Sequence, residues 1–138
     1  MNKWEILWNH RDMIAGGFVN TLVLFGVSVV AAFLLGALVT LAIQTGRGLS
    51  GTAVRGAVDG LRMLPFLIYV YILYYGLPSL GIRFDAWTAG FIALITYHAA
   101  YFAEILRGAW ATLSTGQAES ARASGFTRLG MYWSIVLL

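Results

Sequence analysis

The chain of 138 residues contains no cysteine, only two prolines and few charged side chains. Without cysteine it has no disulfide bonds, thiolate metal sites or cysteine nucleophiles. Charged residues make up 11% of the chain and hydrophobic residues 59%, against roughly a quarter and a half in average soluble domains. A water-soluble fold is therefore not expected. The nine basic residues behind the net charge of +3 are scattered singly, so no nucleic-acid partner is expected either.

Long apolar stretches take the place of the missing charges. The stretch 18–43 carries no charge over about 26 residues, which is enough to cross a bilayer core of roughly 30 Å as a helix. It is longer than the apolar region of roughly 7 to 15 residues in a signal peptide. Further spans are predicted at about 57–78 and 86–105, and a partial fourth span at 129–138. The sequence predicts one all-α domain over 1–138, a polytopic transmembrane helical bundle truncated in its fourth span.

The basic residues predict the orientation of these spans. Cytoplasmic loops carry an excess of Lys and Arg close to the ends of the spans. Six basic residues lie at the facing ends of the first two spans or after the third: Arg47, Arg55, Arg62, Arg107, Arg122 and Arg128. The other side has three, which are Lys3, Arg11 and Arg83. Both Arg-rich loops are therefore predicted in the cytoplasm and the amino terminus outside. Trp87 and Trp110 are expected at the two membrane interfaces.

A polar segment with many small side chains separates the third apolar stretch from the last. Ser114 and Gln117 have the spacing of a helix capping box, and Gly125 is a natural helix end. These signals predict a short helix outside the bilayer, within 113–127. At helical spacing one face contains Ala118, Ala121, Arg122 and Gly125. Because three of these four have little or no side chain, a partner could approach the backbone of this helix closely.

This segment resembles the cytoplasmic signature of membrane subunits in bacterial ATP-binding-cassette (ABC) importers. That signature has Glu-Ala-Ala, three residues, Gly, and then an apolar stretch reaching Ile-x-Leu-Pro. Here Glu119-Ser120-Ala121 is followed by Gly125 at the same offset, and the apolar stretch contains Tyr132, Ile135 and Leu137. Ser120 departs from the family's alanine, and Leu138 stands where the family has proline.

Other segments resemble one branch of that family, the polar amino acid permeases of the histidine and glutamine type. They follow in the family's order and are Gly17–Leu22, Arg62–Leu67, Tyr74–Pro78, Ala99–Gly108 and Gly116–Gln117. Met63 and Leu64 depart from the family's Gly-Thr. The resemblance covers the amino-terminal portion of such a permease and implies a type I importer fold.

The resemblance implies a role in transport and a set of partners. The function implied is a permease subunit that translocates a polar amino acid across the bacterial inner membrane. The partners implied are an ABC ATPase subunit, a periplasmic solute-binding protein, a second permease subunit of the same or a sister kind, and the lipid bilayer. ATP would be bound by the ATPase, with no cofactor or metal on this chain. The residues implied in coupling to the ATPase are Gln117, Ala118, Glu119, Ala121, Arg122 and Gly125.

Four residues are candidates for lining or gating a substrate path: Arg62, Pro65, Tyr101 and Glu104. Charges within a span cost roughly 2.5 to 3.5 kcal/mol on insertion scales, so retained ones usually face a partner or water. Arg62 and Glu104 are placed to pair with each other; alternatively, both extend to the lipid headgroups. Pro65 removes a backbone donor and is expected to bend the second span. His98 is expected to be packed and hydrogen-bonded.

The chain contains two glycine motifs, and two alternative functions stay open. The segment 46–51 matches Gly-x-Gly-x-x-Gly but follows a transmembrane helix rather than a strand, so a flexible cytoplasmic loop is expected. Gly56 and Gly60 have the spacing of a close helix contact. The sequence has no Walker phosphate loop or catalytic triad, which argues against ATP hydrolysis by this chain. The alternative functions are an inert or interaction-only truncated membrane protein and a membrane-embedded enzyme that uses Glu104, His98 or Arg62.

Overall fold

The computed structural model describes residues 2–46, 48–112 and 114–136, and these residues are almost entirely helical. No strand occurs within those ranges, which confirms the predicted all-α class. Short π-helical turns lie at Ile72–Gly76 and Tyr132–Val136, and a 3₁₀ turn lies at Leu77–Leu80. The α-helices are α1 (Lys3–Asn9), α2 (Arg11–Thr45), α3 (Leu49–Met63), α4 (Phe66–Tyr71), α5 (Ala86–Ala111), α6 (Thr115–Ala123) and α7 (Arg128–Met131).

Two helices, α2 and α5, are each long and apolar enough to cross a membrane. The axes of α3 and of the helical segment after it are bent by 107° relative to each other. If the two count as one broken span, they supply a third crossing. The second span predicted at 57–78 is thus divided between two helical segments. Helix α3 already begins at Leu49, inside the segment 46–51 for which a loop was expected. Arg47 of that segment lies outside the described residues, as do Leu137 and Leu138 of the partial fourth span.

The break in the second segment falls at Pro65, as the chemistry of proline predicts. Leu64 and Pro65 have extended backbones with ψ of 136° and 137°, and α4 begins at Phe66. Proline has no N–H to donate and disfavours a helical conformation in the residue before it. The chain therefore stops one helix and starts another at this position instead of bending smoothly.

Small side chains on α2 and α5 form the centre of the fold. The buried face of α2 consists of Ser28, Ala32, Gly36, Ala37 and Thr40. Helix α5 packs on α2, and its buried residues are Ala89, Ala93, Ala99, Ala100, Ala103 and Leu106. A Cβ atom added at Gly36 would lie 2.7 Å from Phe102 Cβ and 2.9 Å from the Ala99 carbonyl oxygen. Such close approach of two backbones is how transmembrane helices pack where the hydrophobic effect supplies no driving force.

A hydrogen bond between the two helices lies next to this close contact. Thr40 Oγ1 lies 2.9 Å from the Gly36 carbonyl oxygen of its own helix and 3.0 Å from the Ala103 carbonyl oxygen of α5. Thr40 is fully buried, so water does not compete for its hydroxyl. The α2–α5 pair is thus held by close packing together with a polar contact between the helices.

The other glycine pair does not form a helix contact within the described residues. A Cβ added at Gly56 or Gly60 would meet no atom within 4 Å. The spacing of Gly56 and Gly60 is therefore not used for a close helix contact within the described residues. Small size permits close approach but needs an opposing backbone, and Gly36 has one whereas the α3 pair does not.

Asp85 fixes the start of α5. Its carboxylate accepts hydrogen bonds from the backbone N–H groups of Trp87 at 3.1 Å and Thr88 at 3.3 Å. Hydrogen bonds from the side chain and the backbone of Thr88 hold the pKa of Asp85 below its ordinary value. An N-terminal cap of this kind satisfies backbone donors that have no partner inside the helix.

Candidate functional site

Five charged side chains from α3 and α5 form a continuous chain of ion pairs, here called the charged cluster: Arg55, Asp59, Arg62, Glu104 and Arg107. Arg62 Nη1 lies 3.5 Å from Glu104 Oε2 and 3.7 Å from Asp59 Oδ1. The predicted pairing of Arg62 with Glu104 is thereby confirmed. Asp59 Oδ2 also lies 3.9 Å from Arg55 Nε. The cluster joins the last turns of α3 to α5.

Glu104 is the centre of the charged cluster, because two arginines share its carboxylate. Arg107 Nε donates to Glu104 Oε2 at 2.9 Å, and Arg107 Nη2 donates to Oε1 of the same carboxylate. The side chains of Glu104, Arg62 and Arg107 are 27%, 30% and 29% exposed. They are therefore largely withdrawn from water, where ion pairs are stronger than on an open surface.

Two tyrosines of α5 donate hydrogen bonds to backbone carbonyl groups at the helix break before Pro65. The Tyr97 hydroxyl donates to the Leu64 carbonyl at 2.9 Å, and the Tyr101 hydroxyl donates to the Arg62 carbonyl at 3.4 Å. Carbonyl groups at a helix end lack partners within their helix, and in a membrane they must find them elsewhere. The Arg62 guanidinium also lies 5.4 Å from the centre of the Tyr101 ring. The tyrosines thus hold the end of α3 against α5.

All four candidate path residues, Arg62, Pro65, Tyr101 and Glu104, meet at this junction of α3, α4 and α5. Sequence reasoning missed four others: Arg55, Asp59, Tyr97 and Arg107. Each was detectable by helical spacing, and Arg55 stands four positions before Asp59. Asp59 and Arg107 stand three positions from Arg62 and Glu104, and Tyr97 stands four before Tyr101.

His98 lies on the same helix but takes no part in the charged cluster. Its Nδ1 lies 2.8 Å from the Leu94 carbonyl oxygen, and its ring meets Phe66 edge-on at 5.9 Å. The expected hydrogen bond is confirmed, but His98 is exposed within the described residues rather than packed. A cavity of about 90 Å³ between α2 and α5 is lined by Phe25, Ser28, Val29, Leu94 and His98.

Helix α6 is closed at both ends by its own sequence. Ser114 Oγ accepts from the Gln117 N–H, and Gln117 Oε1 accepts from the Ser114 N–H, both at 3.2 Å. This is the predicted capping box. At the other end Gly125 has φ of +83°, its N–H donates to the Arg122 carbonyl, and the Phe126 N–H donates to the Ala121 carbonyl. These two bonds form a Schellman motif, which requires a left-handed residue at its glycine.

The faces of α6 differ in part from the prediction. Glu119 and Arg122 are exposed, and Gln117 is exposed while its amide oxygen serves the capping box. Ala121 is only 8% exposed, so its side chain packs within this chain. The side chain of Ala118 lies outside the part of the chain that the structure describes. Helix α6 ends at Ala123, so Gly125 lies in the Schellman turn after the helix and not on the predicted helix face.

The segment after α6 returns to the two spanning helices through Tyr132. This ring is fully buried, and its hydroxyl donates to the Ala37 carbonyl of α2 at 2.7 Å. Its centre lies 5.7 Å from that of Trp110 on α5. Trp110 is partly buried and packs against the group formed by Ala37, Leu106 and Tyr132. Trp110 thus packs within this chain near the end of α5, and its place at a membrane interface stays a prediction.

Comparison with known proteins decides the family. Residues 40–137 match the model of the family described as binding-protein-dependent transport system inner membrane component. The chain belongs to this family. The matched region contains α3, α5, the charged cluster and α6, so the junction at Pro65 and the doubly capped helix are both parts of a transport-system membrane component.

The chain is also similar to individual permease proteins. The probable glutamine ABC transporter permease protein GlnM of Bacillus subtilis is 37% identical over 126 residues, which cover 89% of this chain and 57% of that protein. The histidine/lysine/arginine/ornithine transport system permease protein HisQ of Salmonella typhimurium is 33% identical over 133 residues, which cover 88% and 58%. The chain therefore spans less than two thirds of the length of these relatives.

A solved structure is similar in fold. A crystal structure of an amino acid ABC transporter with histidines matches 97% of this chain and 62% of the solved chain, with a TM-score of 0.83 and 26% identity. The family's membrane location agrees with two helices apolar enough to span a bilayer. The chain is thus a membrane component with the helical bundle of an ABC importer permease.

Proposed function

We propose that this chain forms part of a permease subunit that moves a polar amino acid inward across the bacterial inner membrane. The observation that carries the proposal is the family match over residues 40–137, which includes both the charged cluster and α6. The named relatives are permeases for glutamine and for histidine, lysine, arginine and ornithine. A polar amino acid is the class of solute common to them.

Helix α6 is the proposed docking site for a separate ATP-hydrolysing subunit. Its exposed Glu119 and Arg122 offer charged hydrogen bonds that set register against a partner. Caps at both ends let the helix keep its shape while it is pushed. ATP is proposed to bind to that partner alone, and this chain is proposed to bind no cofactor and to catalyse no reaction.

The charged cluster is the proposed cytoplasmic gate of the solute path. The Glu104 carboxylate is already shared by Arg62 and Arg107, so it acts in this proposal as a tie between α3 and α5. Separation of Arg62 from Glu104 would release the end of α3 beside Pro65. Tyr101 would lose its contact with the Arg62 carbonyl in the same movement.

The remaining proposals concern assembly and orientation. The partners proposed are the ATPase, a periplasmic solute-binding protein, and a second permease subunit, identical or related. The amino terminus is proposed to lie outside because of the basic residues near α3, α5 and α6. The chain has no cysteine, so Ser120→Cys and Ser79→Cys give single labelling sites on the two sides. Labelling of Ser120→Cys by an impermeant reagent in intact cells would refute this orientation.

The test of transport is uptake into proteoliposomes that contain the full-length protein with its ATPase and binding protein. We expect ATP-dependent accumulation of radiolabelled glutamine or histidine, and none with a nonhydrolysable ATP analogue. An assembled complex that moves none of the polar amino acids would contradict the proposal and leave an interaction-only membrane protein.

Glu104→Gln tests the gate in the same assay. The substitution keeps the shape of the side chain but removes the charge that Arg62 and Arg107 share, so the closed state is weakened. We expect a protein that stays in the membrane with uptake reduced at least tenfold or with solute leaking without ATP. Glu5→Gln, on the exposed helix α1, is the control. Unchanged uptake kinetics for Glu104→Gln would refute the gate.

A further inference from the structure

Tyr132 is a buried residue whose role lies outside the residues proposed so far. It is fully buried after the short helix α7, and its hydroxyl reaches the Ala37 carbonyl of α2 at 2.7 Å. The Tyr132 ring also contacts the ring of Trp110, near the end of α5. One side chain therefore touches both spanning helices from the segment that follows α6.

The connection from α6 to Tyr132 is short and tightly folded. The Schellman turn at Gly125 and Phe126 closes α6, and the Met131 N–H donates to the Thr127 carbonyl at 2.9 Å. A Cβ added at Gly130 would be in ordinary van der Waals contact with Phe126, 3.4 Å from its Cδ1. Met131 is 3% exposed. A displacement of α6 along its axis thus has little slack before it reaches Tyr132.

Beyond Tyr132 the contacts continue to the charged cluster. Ala37 is the neighbour of Gly36, where the backbones of α2 and α5 approach closely, and it lies about one turn before Thr40. Thr40 donates to the Ala103 carbonyl at 3.0 Å. Ala103 directly precedes Glu104, which pairs with Arg62. Buried polar contacts and close packing therefore connect α6 with the proposed gate.

We propose that Tyr132 is a positioning residue that transmits displacement of α6 to the α2–α5 pair and so to the charged cluster. This inference rests on the proposed function, because the ATPase supplies the displacement. The bond from the Tyr132 hydroxyl to Ala37 couples ATP hydrolysis to gate opening, but docking of the ATPase does not need it.

The test compares Tyr132→Phe with Tyr75→Phe in the full-length transporter, assembled with its ATPase and binding protein in proteoliposomes. Both changes remove one hydroxyl, but the Tyr75 hydroxyl makes no hydrogen bond within the described residues, and that side chain is 66% exposed. We expect Tyr132→Phe to bind the ATPase normally while solute transported per ATP falls about fivefold, the size of one net hydrogen bond. Tyr75→Phe should match wild type.

Three outcomes separate the possible failures. An unchanged ratio of transport to hydrolysis in Tyr132→Phe would overturn the inference. Loss of ATPase binding in Tyr132→Phe would also overturn it, because the hydroxyl would then only maintain the local fold. If wild type shows no ATP-driven uptake, the proposed function fails first and the inference fails with it.

A double variant tests whether Tyr132 and the charged cluster act on the same step. If Tyr132 acts on the charged cluster, Tyr132→Phe should add little to the defect of Glu104→Gln, whereas independent sites give multiplied effects. Fully multiplied losses in Tyr132→Phe with Glu104→Gln would contradict transmission along this series of contacts.

Discussion

Thr40 joins the two spanning helices through a single polar group. Its hydroxyl contacts the Ala103 carbonyl of α5 at 3.0 Å from a fully buried position. Thr40→Val keeps the shape and removes the hydroxyl, so we expect unfolding in detergent to require about 1 kcal/mol less. Thr21→Val is the matched control, because Thr21 bonds only to Gly17 of its own helix. Equal effects of the two substitutions would show that the bond between helices contributes nothing.

Gly36 is the position at which α2 has no room for a side chain. An added Cβ would lie 2.7 Å from Phe102 Cβ and 2.9 Å from the Ala99 carbonyl oxygen, so the helices would have to separate. We expect Gly36→Ala to destabilise the full-length protein by about 1 to 3 kcal/mol in thermal or SDS unfolding.

Gly26→Ala is the control for Gly36→Ala on the same helix. A Cβ at Gly26 meets nothing within 4 Å, so alanine there should leave stability unchanged or slightly raised. A Gly36→Ala protein as stable as Gly26→Ala would contradict the close packing of α2 on α5.

At the residue scale the sequence predicted contacts best where the partner is close in the chain. The capping box of Ser114 and Gln117 follows from spacing alone, and it is present. The pairing of Arg62 with Glu104 was inferred from two unusual charges at the ends of two spans. The bond from Tyr132 to Ala37 was not predictable, because it joins residues 95 positions apart and depends on the packing of three segments.

Among the elements, α6 ends in a turn that depends on a single glycine. Gly125 has φ of +83°, where a side chain costs about 1 to 2 kcal/mol. Gly125→Ala should therefore distort the exit of α6 and weaken capture of the ATPase by about tenfold, as measured by titration of the detergent-solubilised full-length protein. Gly116→Ala, inside the same helix with no neighbour within 4 Å, should bind normally. Equal binding of the ATPase by both variants would show that docking does not depend on the Schellman turn.

The second apolar segment shows how far element prediction reaches. Proline chemistry located the break at Pro65, but an apolar stretch of suitable length favoured one span with a bend. The observed angle of 107° depends on tertiary contacts. Tyr97 and Tyr101 of α5 supply donors for the carbonyls freed at the end of α3, and hydropathy carries no information about such donors.

For the whole molecule, composition predicted the class correctly and the packing surfaces only in part. A chain with 59% hydrophobic residues and 11% charged residues indicates a membrane bundle. Gly56 and Gly60 have the spacing of a close helix contact, yet an added Cβ at either meets no atom within 4 Å, whereas Gly36 lies against α5. Glycine spacing identifies faces that permit close approach, and the fold decides which of them meets a partner.

Docking of a separate ATPase on α6 can be measured by detergent pull-down of the candidate importer ATPase with the full-length protein. The variants are Glu119→Lys and Gly125→Pro, with Glu5→Lys on α1 as the control for charge reversal. We predict that wild type and Glu5→Lys capture the ATPase and that Glu119→Lys and Gly125→Pro do not. Well-inserted wild-type protein that captures no ATPase, or equal capture by all four proteins, would contradict the account.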